Sequence, residues 1–505
     1  MNNSRAQQRL AARLCASALA ASAALWSVPS LAAFNSGSTG ADGAFNPTVN
    51  TQVVLPPSGV LNYTTVNIPV GVEVTFKKNT ANTPVYLLAT GNVTVAGSIN
   101  ISGGSAKPAG TAGDGVLGDD GIPGVGGPGG YDGGRGGRDD AQSRVAIIGA
   151  GAGLGPGGGP GGLDQSYGCN AAGYYHMYPA GGAYSAATYQ YGSNNCTQST
   201  ITTYGKPYGS QLLQPLLGGS GGGGGSGGTN FGGGGGGGAL LIASSGTLRI
   251  TGSIKSDGGS GGSVDGTGEG IVGGSGSGGA IRLVGALVTG AGTLSATGGC
   301  TTGYSCSYGW GSYGVGGSPG RIRIEGDAIT YSGSASPTYV ADLPGPIFIA
   351  GTPSLRIAAV AGQAVPADPT GNADVVLPAT TTGPISVTFN TVNVPVGNTV
   401  LLRVVPAYGL PIEVLSPAIA GTSGAGTAAV SVTLPSGPST LQATTTYTVV
   451  LAGDLDLSRF AQNEAVDKVE VTVDLAGEAR ARLITFSGKQ FDVPYQALRA
   501  AGFRG

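Results

Sequence analysis

The sequence predicts an all-β protein, in which a glycine-rich parallel β-helix (a β-solenoid) with long insertions is followed by a small β-sandwich and a β-rich tail. A repeated strand–glycine–strand motif predicts the solenoid. Glycine accounts for 99 of the 505 residues, far above the usual share of roughly 7%, and it suits tight corners because it tolerates positive φ. The remaining chain is rich in Val, Thr, Ser, Ile and Tyr, which favour strands.

The repeated motif consists of a strand, a tight glycine turn, a second strand and a glycine corner. Four copies occur, which become progressively less regular: Gly238–Gly259, Pro84–Gly104, Gly279–Gly299 and Gly320–Gly333. In the two best copies an apolar run ends at Leu88 and Ile242, which we therefore align.

Such a motif is too short to bury its own apolar face, so neighbouring copies must stack, each adding about 4.8 Å. We expect Ile99, Ile250 and Leu283 to share one core. The alternative is a set of unrelated β-hairpins with glycine turns. Before the first copy, Thr65–Phe76 is predicted to form a hairpin around Pro69 and Gly71, and Phe34–Pro57 is predicted to cap the end of the solenoid.

Long glycine tracts interrupt the repeats at about residues 105–237. From Gly115 to Gly136, glycine occupies every third position, a spacing typical of collagen-like polyproline-II chains. Two interpretations stay open for these tracts: a bundle of polyproline-II-like strands packed beside the solenoid, or solvated loops.

The N-terminus predicts export. Residues 1–33 read as a signal peptide, with Arg5, Arg9 and Arg13 before an apolar stretch and small residues at Ser30–Ala33 for cleavage. A membrane anchor is the alternative. No second long apolar run follows, so we expect no transmembrane span in the mature chain.

Four cysteines follow the predicted signal peptide: Cys169, Cys196, Cys300 and Cys306. An even number in an exported chain predicts disulfides. We favour the pairs Cys169–Cys196 and Cys300–Cys306 because both close short rings within glycine- and tyrosine-rich loops.

The character of the chain changes after about residue 343. We predict a solenoid over residues 34–343, a proline-rich linker over 344–373, a β-sandwich over 374–453 and a small charged β tail over 454–505. Strands at regular spacing between turn signals predict that the sandwich is immunoglobulin-like.

Aromatic residues in the insertions are the candidate ligand-binding residues, because tyrosine and tryptophan stack on sugars and also form hydrogen bonds. We single out Tyr174, Tyr175, Tyr178 and Trp310. The alternative is that tyrosines of the insert Asp164–Tyr208 cover the flank of the solenoid in a disulfide-pinned loop.

No catalytic arrangement is found, and we expect the protein not to be an enzyme. His176 is the only histidine, so a Ser-His-Asp triad would have to use it, and it is predicted in a loop without an obvious partner. Solenoid hydrolases of the polygalacturonase type carry paired aspartates and an Arg-Lys pair. Here Asp119 and Asp120 lie within a glycine tract, and Arg321-Ile322-Arg323 is the nearest match to the basic pair. A carbohydrate-active β-helix hydrolase or lyase is the alternative.

We predict no cofactor and no nucleic-acid partner. The net charge is -2, which gives no basic footprint for nucleic acid. Asp114, Asp119 and Asp120 are oxygen ligands of the kind that calcium takes, but the nonapeptide pattern of secreted calcium-binding solenoids is not matched.

The motif of Gly238–Gly259, the glycine-rich insertions and the predicted signal peptide together resemble bacterial exported glycine-rich surface proteins with parallel β-helix (adhesin-like) domains. The resemblance covers about residues 60–335 and implies export and a solenoid. It does not identify any site residues. We therefore expect an exported structural or adhesive protein at the cell surface or in a matrix, with the periplasm as the alternative location. Its expected partner is a glycan or another surface component. Ice or surface binding by the glycine tracts is a third hypothesis.

Overall fold

In a computed structural model the chain is essentially all-β, with 42% of its residues in strands and 2% in helices, and it contains parallel sheets. The structure describes residues 34–505 except 80–81, 108–120, 140–145, 149, 166–174, 191, 195–203, 226–230, 263–271, 302–314, 349–350, 367–373, 408–409, 452–454, 476–478 and 501. The predicted signal peptide lies outside these residues. Within the described part of the chain, no helix is long and apolar enough to cross a membrane.

The strands fall into four groups along the chain. The first group is β1 (Ala44–Phe45), β2 (Thr51–Val54), β3 (Val60–Tyr63), β4 (Thr65–Ile68), β5 (Glu73–Lys77), β6 (Val85–Ala89), β7 (Val93–Val95) and β8 (Ser98–Asn100). Short strands of the insertion are β9 (Arg138–Asp139), β10 (Ala146–Ile148), β11 (Leu163–Gln165), β12 (Tyr175–Met177), β13 (Thr188–Tyr189), β14 (Gly192–Asn194) and β15 (Tyr204–Gly205).

The third group is β16 (Ala239–Ile250), β17 (Ser253–Lys255), β18 (Ala280–Gly290), β19 (Thr293–Ser295), β20 (Arg321–Tyr331), β21 (Ser334–Ser336) and β22 (Val340–Asp342). The last group is β23 (Ser354–Val360), β24 (Gln363–Ala364), β25 (Ile385–Val392), β26 (Val400–Pro406), β27 (Ile412–Leu415), β28 (Ala420–Thr422), β29 (Ala425–Val432), β30 (Ser439–Val450), β31 (Val466–Asp474), β32 (Ala479–Thr485) and β33 (Gln490–Pro494). A 3-10 turn at Ser458–Phe460 and one short helix, α1 (Tyr495–Ala500), complete this part.

Two parallel sheets build the first part of the molecule. Sheet A has the order β1-β4-β7-β16-β18-β20-β22, with β3 and β6 joined to it through β16, and sheet B has the order β2-β5-β8-β17-β19-β21. The four copies of the motif are neighbours in register: Leu240 pairs with Val85 on one side and with Ile281 on the other, and Ile281 pairs with Ile322. The predicted stacking of these segments is confirmed.

Sheets A and B share one apolar core. Ile99, Ile250 and Leu283 are all fully buried in it, as the stacking requires. The alternation of strand side chains explains this, because every second residue of each strand faces the core. The alignment of Leu88 with Ile242 was wrong by one residue: Leu87 pairs with Ile242, so Leu88 belongs to the opposite face of sheet A and to a separate outer cluster.

The segment before the first motif differs from the prediction. Thr65–Phe76 is not a hairpin, because β4 pairs with β7 in sheet A while β5 pairs with β8 in sheet B. The turn at Pro69 and Gly71 therefore joins two sheets instead of two paired strands. Within the predicted cap, β1 and β2 add one strand to each sheet, so residues 34–57 extend the stack as well as ending it.

The described glycine tracts pack against one another. The Gly124 amide donates to the Gly233 carbonyl (2.8 Å) and the Gly127 amide to the Gly236 carbonyl (3.0 Å). Bonds spaced by three residues match the three residues per turn of polyproline II. A Cβ on Gly236 would lie 2.0 Å from the Gly219 carbonyl oxygen, a distance that no side chain permits. For these residues the packed arrangement is supported and the solvated-loop interpretation is wrong.

Two antiparallel sheets build the last part of the molecule. Their orders are β24-β23-β25-β29-β28 and β27-β26-β30-β31-β32-β33, and their inner faces share one apolar cluster. The segment 344–373, predicted as a linker, contains β23, which pairs with β25. The predicted tail over 454–505 contains β31, which pairs with β30. Leu355 and Val493 lie in the same core, so the structure joins segments that the sequence analysis separated.

Candidate functional site

The predicted aromatic binding residues are only partly within the described chain. Tyr174 and Trp310 lie outside it. Tyr175 begins β12, which pairs with β11 and β14, and Tyr178 follows β12 at a half-buried position. Whether these four residues form one surface stays a prediction.

Two other tyrosines of the insert have a structural role. Tyr184 and Tyr208 are almost completely buried against the outer face of sheet A, with their ring centroids 4.8 Å apart. The Tyr184 hydroxyl donates to the Leu217 carbonyl (3.0 Å) and the Tyr208 hydroxyl to the Gly218 carbonyl (2.5 Å). These two residues cover the flank of the stack, which is the alternative that the sequence left open for the insert.

Cys300 is disulfide-bonded. Cys169, Cys196 and Cys306 lie outside the described residues, so the pairing Cys300–Cys306 and the pairing Cys169–Cys196 both stay predictions.

His176 lies in a strand, not in a loop as predicted. It is the middle residue of β12, and its backbone register places Asp164 of β11 and Ser193 of β14 opposite it on the two neighbouring strands. The sequence did not indicate this pairing, because β11 and β14 are each only three residues long and show no clear strand pattern. The basic pair Arg321 and Arg323 lies elsewhere: Arg321 donates to the Tyr208 carbonyl and Arg323 to Glu325.

The outer face of sheet B carries a column of polar side chains, one from each strand. In order these are Gln52, Thr75, Asn100, Lys255, Ser295 and Ser336. They alternate with the buried core residues, and each is half-buried or exposed. Because neighbouring parallel strands lie about 4.8 Å apart, the column presents amide and hydroxyl groups at a regular spacing.

A groove runs beside the N-terminal end of this polar column. Its volume is about 410 Å³, within the range of roughly 300–1,000 Å³ that is typical of ligand pockets. One wall is formed by Gln52, Thr75 and Asn100, and another by the glycine tract at Val125–Pro128; Lys77 and Lys78 also line the groove. The glycine tract thus closes one side of the groove with Val125 and Pro128 as well as two glycines.

The two lysines of the groove differ in their partners. Lys78 donates to the Gly130 carbonyl (3.0 Å) and forms an ion pair with Asp132 (3.1 Å). Asp132 in turn accepts from the Gly126 amide (2.8 Å), so Lys78 fixes the glycine wall. The Lys77 side chain is exposed and forms no hydrogen bond or ion pair with the described residues, which leaves its ammonium group available to a ligand. The groove can therefore offer hydrogen bonds and one positive charge.

The sequence analysis did not identify this groove. Its signal was present in the alternation of Glu73–Lys77, where polar residues occupy every second position, and in Asn100 at the matching place of the next motif. The groove becomes apparent only when β5 and β8 are known to be neighbours. The first copy of the repeated motif begins at Pro84, so the motif does not include β5.

Within the described residues, no three His, Cys, Asp or Glu side chains group as metal ligands. The candidate calcium ligands Asp114, Asp119 and Asp120 lie outside those residues.

No protein-family model, curated protein or solved structure matches this chain.

Proposed function

We propose that the protein is an exported structural or adhesive protein of a surface or matrix, and that it binds an acidic glycan along the groove beside the polar column. The stacked parallel sheets support a β-solenoid, which would make the first part a rigid scaffold. The two antiparallel sheets of the last part support an immunoglobulin-like sandwich. The predicted signal peptide supports export.

The observation that carries this proposal is the groove with the free Lys77. Side-chain amides and hydroxyls can form hydrogen bonds with sugar hydroxyls, and Gln52, Thr75 and Asn100 supply them on one wall. An exposed ion pair contributes up to about 1 kcal/mol, so Lys77 favours a polymer that bears carboxylates over a neutral one. The groove is open at its side, which suits a chain longer than a single sugar.

The test is binding of the mature chain, residues 34–505, to immobilised polygalacturonate and to neutral amylose. We expect stronger binding to polygalacturonate, a decrease with added salt, and about fivefold weaker binding for Lys77→Ala. Arg356→Ala, which removes an exposed cation from β23, is the matched control and should bind like the wild type.

Two further variants separate the groove from the predicted aromatic loops. Asn100→Ala should weaken binding if the groove is the site, whereas Tyr174→Ala combined with Tyr175→Ala and Tyr178→Ala should weaken it if the loops are. Unchanged binding in Lys77→Ala and Asn100→Ala would refute the groove. New reducing ends during the incubation would favour the alternative of a carbohydrate-active enzyme.

A further inference from the structure

A second, smaller cavity lies on the opposite side of the stack, against the outer face of sheet A. Its floor is formed by Tyr86, Leu241 and Arg282, which are aligned on the adjacent strands β6, β16 and β18. Its cover is formed by the segment around Gln214 and by Ile347 and Phe348. The volume is about 180 Å³, below the roughly 300 Å³ at which drug-sized pockets begin, so an occupant would be small.

Arg282 is unusual in this face because its side chain is only 1% exposed. Its Nε and Nη2 each donate to a Glu325 carboxylate oxygen at 2.9 Å, and Nη2 also donates to the Pro346 carbonyl at 3.2 Å. Its Nη1 is buried and has no hydrogen-bond partner among the described residues. An arginine carries five N–H donors, so the Nη1 protons are the part of this group that remains unused.

Each of the two buried arginines has a carboxylate partner. Glu325 accepts from Arg282 and also from the Nε of Arg323 and the Gly345 amide, and Arg323 pairs in addition with Asp342, whose side chain is 57% exposed. What remains without a partner is the Nη1 group of Arg282. A buried donor without an acceptor is destabilising, and an anionic oxygen beside it would remove that cost.

The other walls indicate what kind of anion fits. Leu241 and Ile347 are apolar, and the rings of Tyr86 and Phe348 lie with their centroids 5.1 Å apart. Burial raises the pKa of Tyr86 to about 12 although the charge of Arg282 acts to lower it, so its hydroxyl stays protonated and can donate to an anion. Two donors beside an aromatic and aliphatic wall suit one carboxylate attached to a flat apolar body.

We propose that the cavity between Tyr86, Arg282 and Phe348 binds a small aromatic monocarboxylate. The carboxylate accepts hydrogen bonds from Arg282 Nη1 and from the Tyr86 hydroxyl, and the ring lies against Phe348 and Leu241. This site is separate from the groove on sheet B and does not depend on the function proposed for that groove.

The probe is sodium benzoate, titrated into the mature chain in a calorimeter, with benzyl alcohol as the neutral molecule of similar shape. We expect saturable binding of benzoate that is at least tenfold tighter than that of benzyl alcohol. Equal binding of the two compounds, or no heat from benzoate up to millimolar concentration, would overturn the proposal.

Two variants locate the binding without disturbing the buried ion pairs. Tyr86→Phe removes one donor and should weaken benzoate binding about tenfold. Ile347→Trp fills the cavity and should abolish benzoate binding, whereas Leu343→Trp, at a position that is 66% exposed and outside the cavity lining, should leave the binding unchanged.

Far-ultraviolet circular dichroism checks that each variant is folded. Undiminished binding in a folded Ile347→Trp protein would refute this location, and Tyr86→Phe gives an independent answer if Ile347→Trp does not fold.

Discussion

Gly236 shows how single residues set the architecture of the glycine tracts. Its amide donates to the Tyr131 carbonyl, and its α-carbon lies against the main chain of Gly219. A Cβ at this position would meet the Gly219 carbonyl carbon at 2.2 Å and its oxygen at 2.0 Å. The glycine is needed for the approach of two main chains, which is a different requirement from the positive φ of a turn glycine.

We therefore predict that Gly236→Ala destabilises the protein by about 3 kcal/mol or more, the upper end of what overpacking costs. The reason is that the clash is with backbone, which cannot rotate away. Thermal and urea unfolding measure the change. Gly424→Ala is the control, because a Cβ there meets nothing within 4 Å, and it should leave the midpoint unchanged. Equal midpoints for the two variants would show that the tracts are not packed.

Glu325 is the residue whose ionisation most directly supports the outer face of sheet A. Burial acts to raise its pKa. The hydrogen bonds and charge of Arg282, the hydrogen bond from the Gly345 amide and the hydrogen bond from Arg323 outweigh burial, so the pKa lies below its ordinary value. The stabilisation is therefore complete above the unfolded-state pKa, roughly 4.3, and is lost as the pH falls through the lower folded-state pKa.

From this we predict that Glu325→Gln lowers the free energy of unfolding at pH 7 by about 3–5 kcal/mol, because it leaves two arginines without a buried carboxylate. The difference between wild type and variant should shrink as the pH is lowered from 7 to 3, because Glu325 then becomes protonated in the unfolded wild type and the stabilisation from its lowered folded-state pKa is progressively lost. Urea unfolding at both pH values measures it. Glu413→Gln, which breaks a surface pair with Arg403, should change stability by no more than about 1 kcal/mol. A pH-independent difference for Glu325→Gln would contradict the assignment.

At the scale of elements, the sequence predicted the strands of the repeats well, because apolar alternation and glycine corners were both present in β16 and β17. It failed for β4 and β5, because a turn that joins two sheets carries the same Pro and Gly signals as a hairpin turn. The one-residue error at Leu88 has a similar cause: β6 is apolar on both faces, since its outer face is covered, and a continuous apolar run does not fix the register.

The candidate sites were less predictable than the strands. The covering role of Tyr184 and Tyr208 depends on contacts with strands more than thirty residues away, which tyrosine content alone does not reveal. The groove depends on the pairing of β5 with β8 and on the position of a glycine tract. Arg282 and Glu325 could have been noticed as charged residues inside apolar strands, but the unused Nη1 required the structure.

At the scale of the whole molecule, the two largest apolar clusters divide the chain. One lies behind the parallel sheets and the other between the antiparallel sheets. The second cluster runs from Leu355 to Phe503, so the unit it defines includes β23. The proline-rich composition that predicted a linker over 344–373 is compatible with an edge region of a sheet, where proline is tolerated.

We predict that a fragment of residues 353–505 folds on its own and that a fragment of residues 374–505 does not. The shorter fragment lacks β23, which pairs along β25 and contributes the buried Leu355 and Val360. Losing these two buried side chains costs about 4 kcal/mol or more, which is a large part of the stability of a small domain. Thermal unfolding followed by circular dichroism should give a cooperative transition only for the longer fragment. A third fragment, residues 344–505, should match it, because the nine added residues are absent from the core. A cooperative transition of the 374–505 fragment at the same temperature would place the boundary after β24 and contradict the single core.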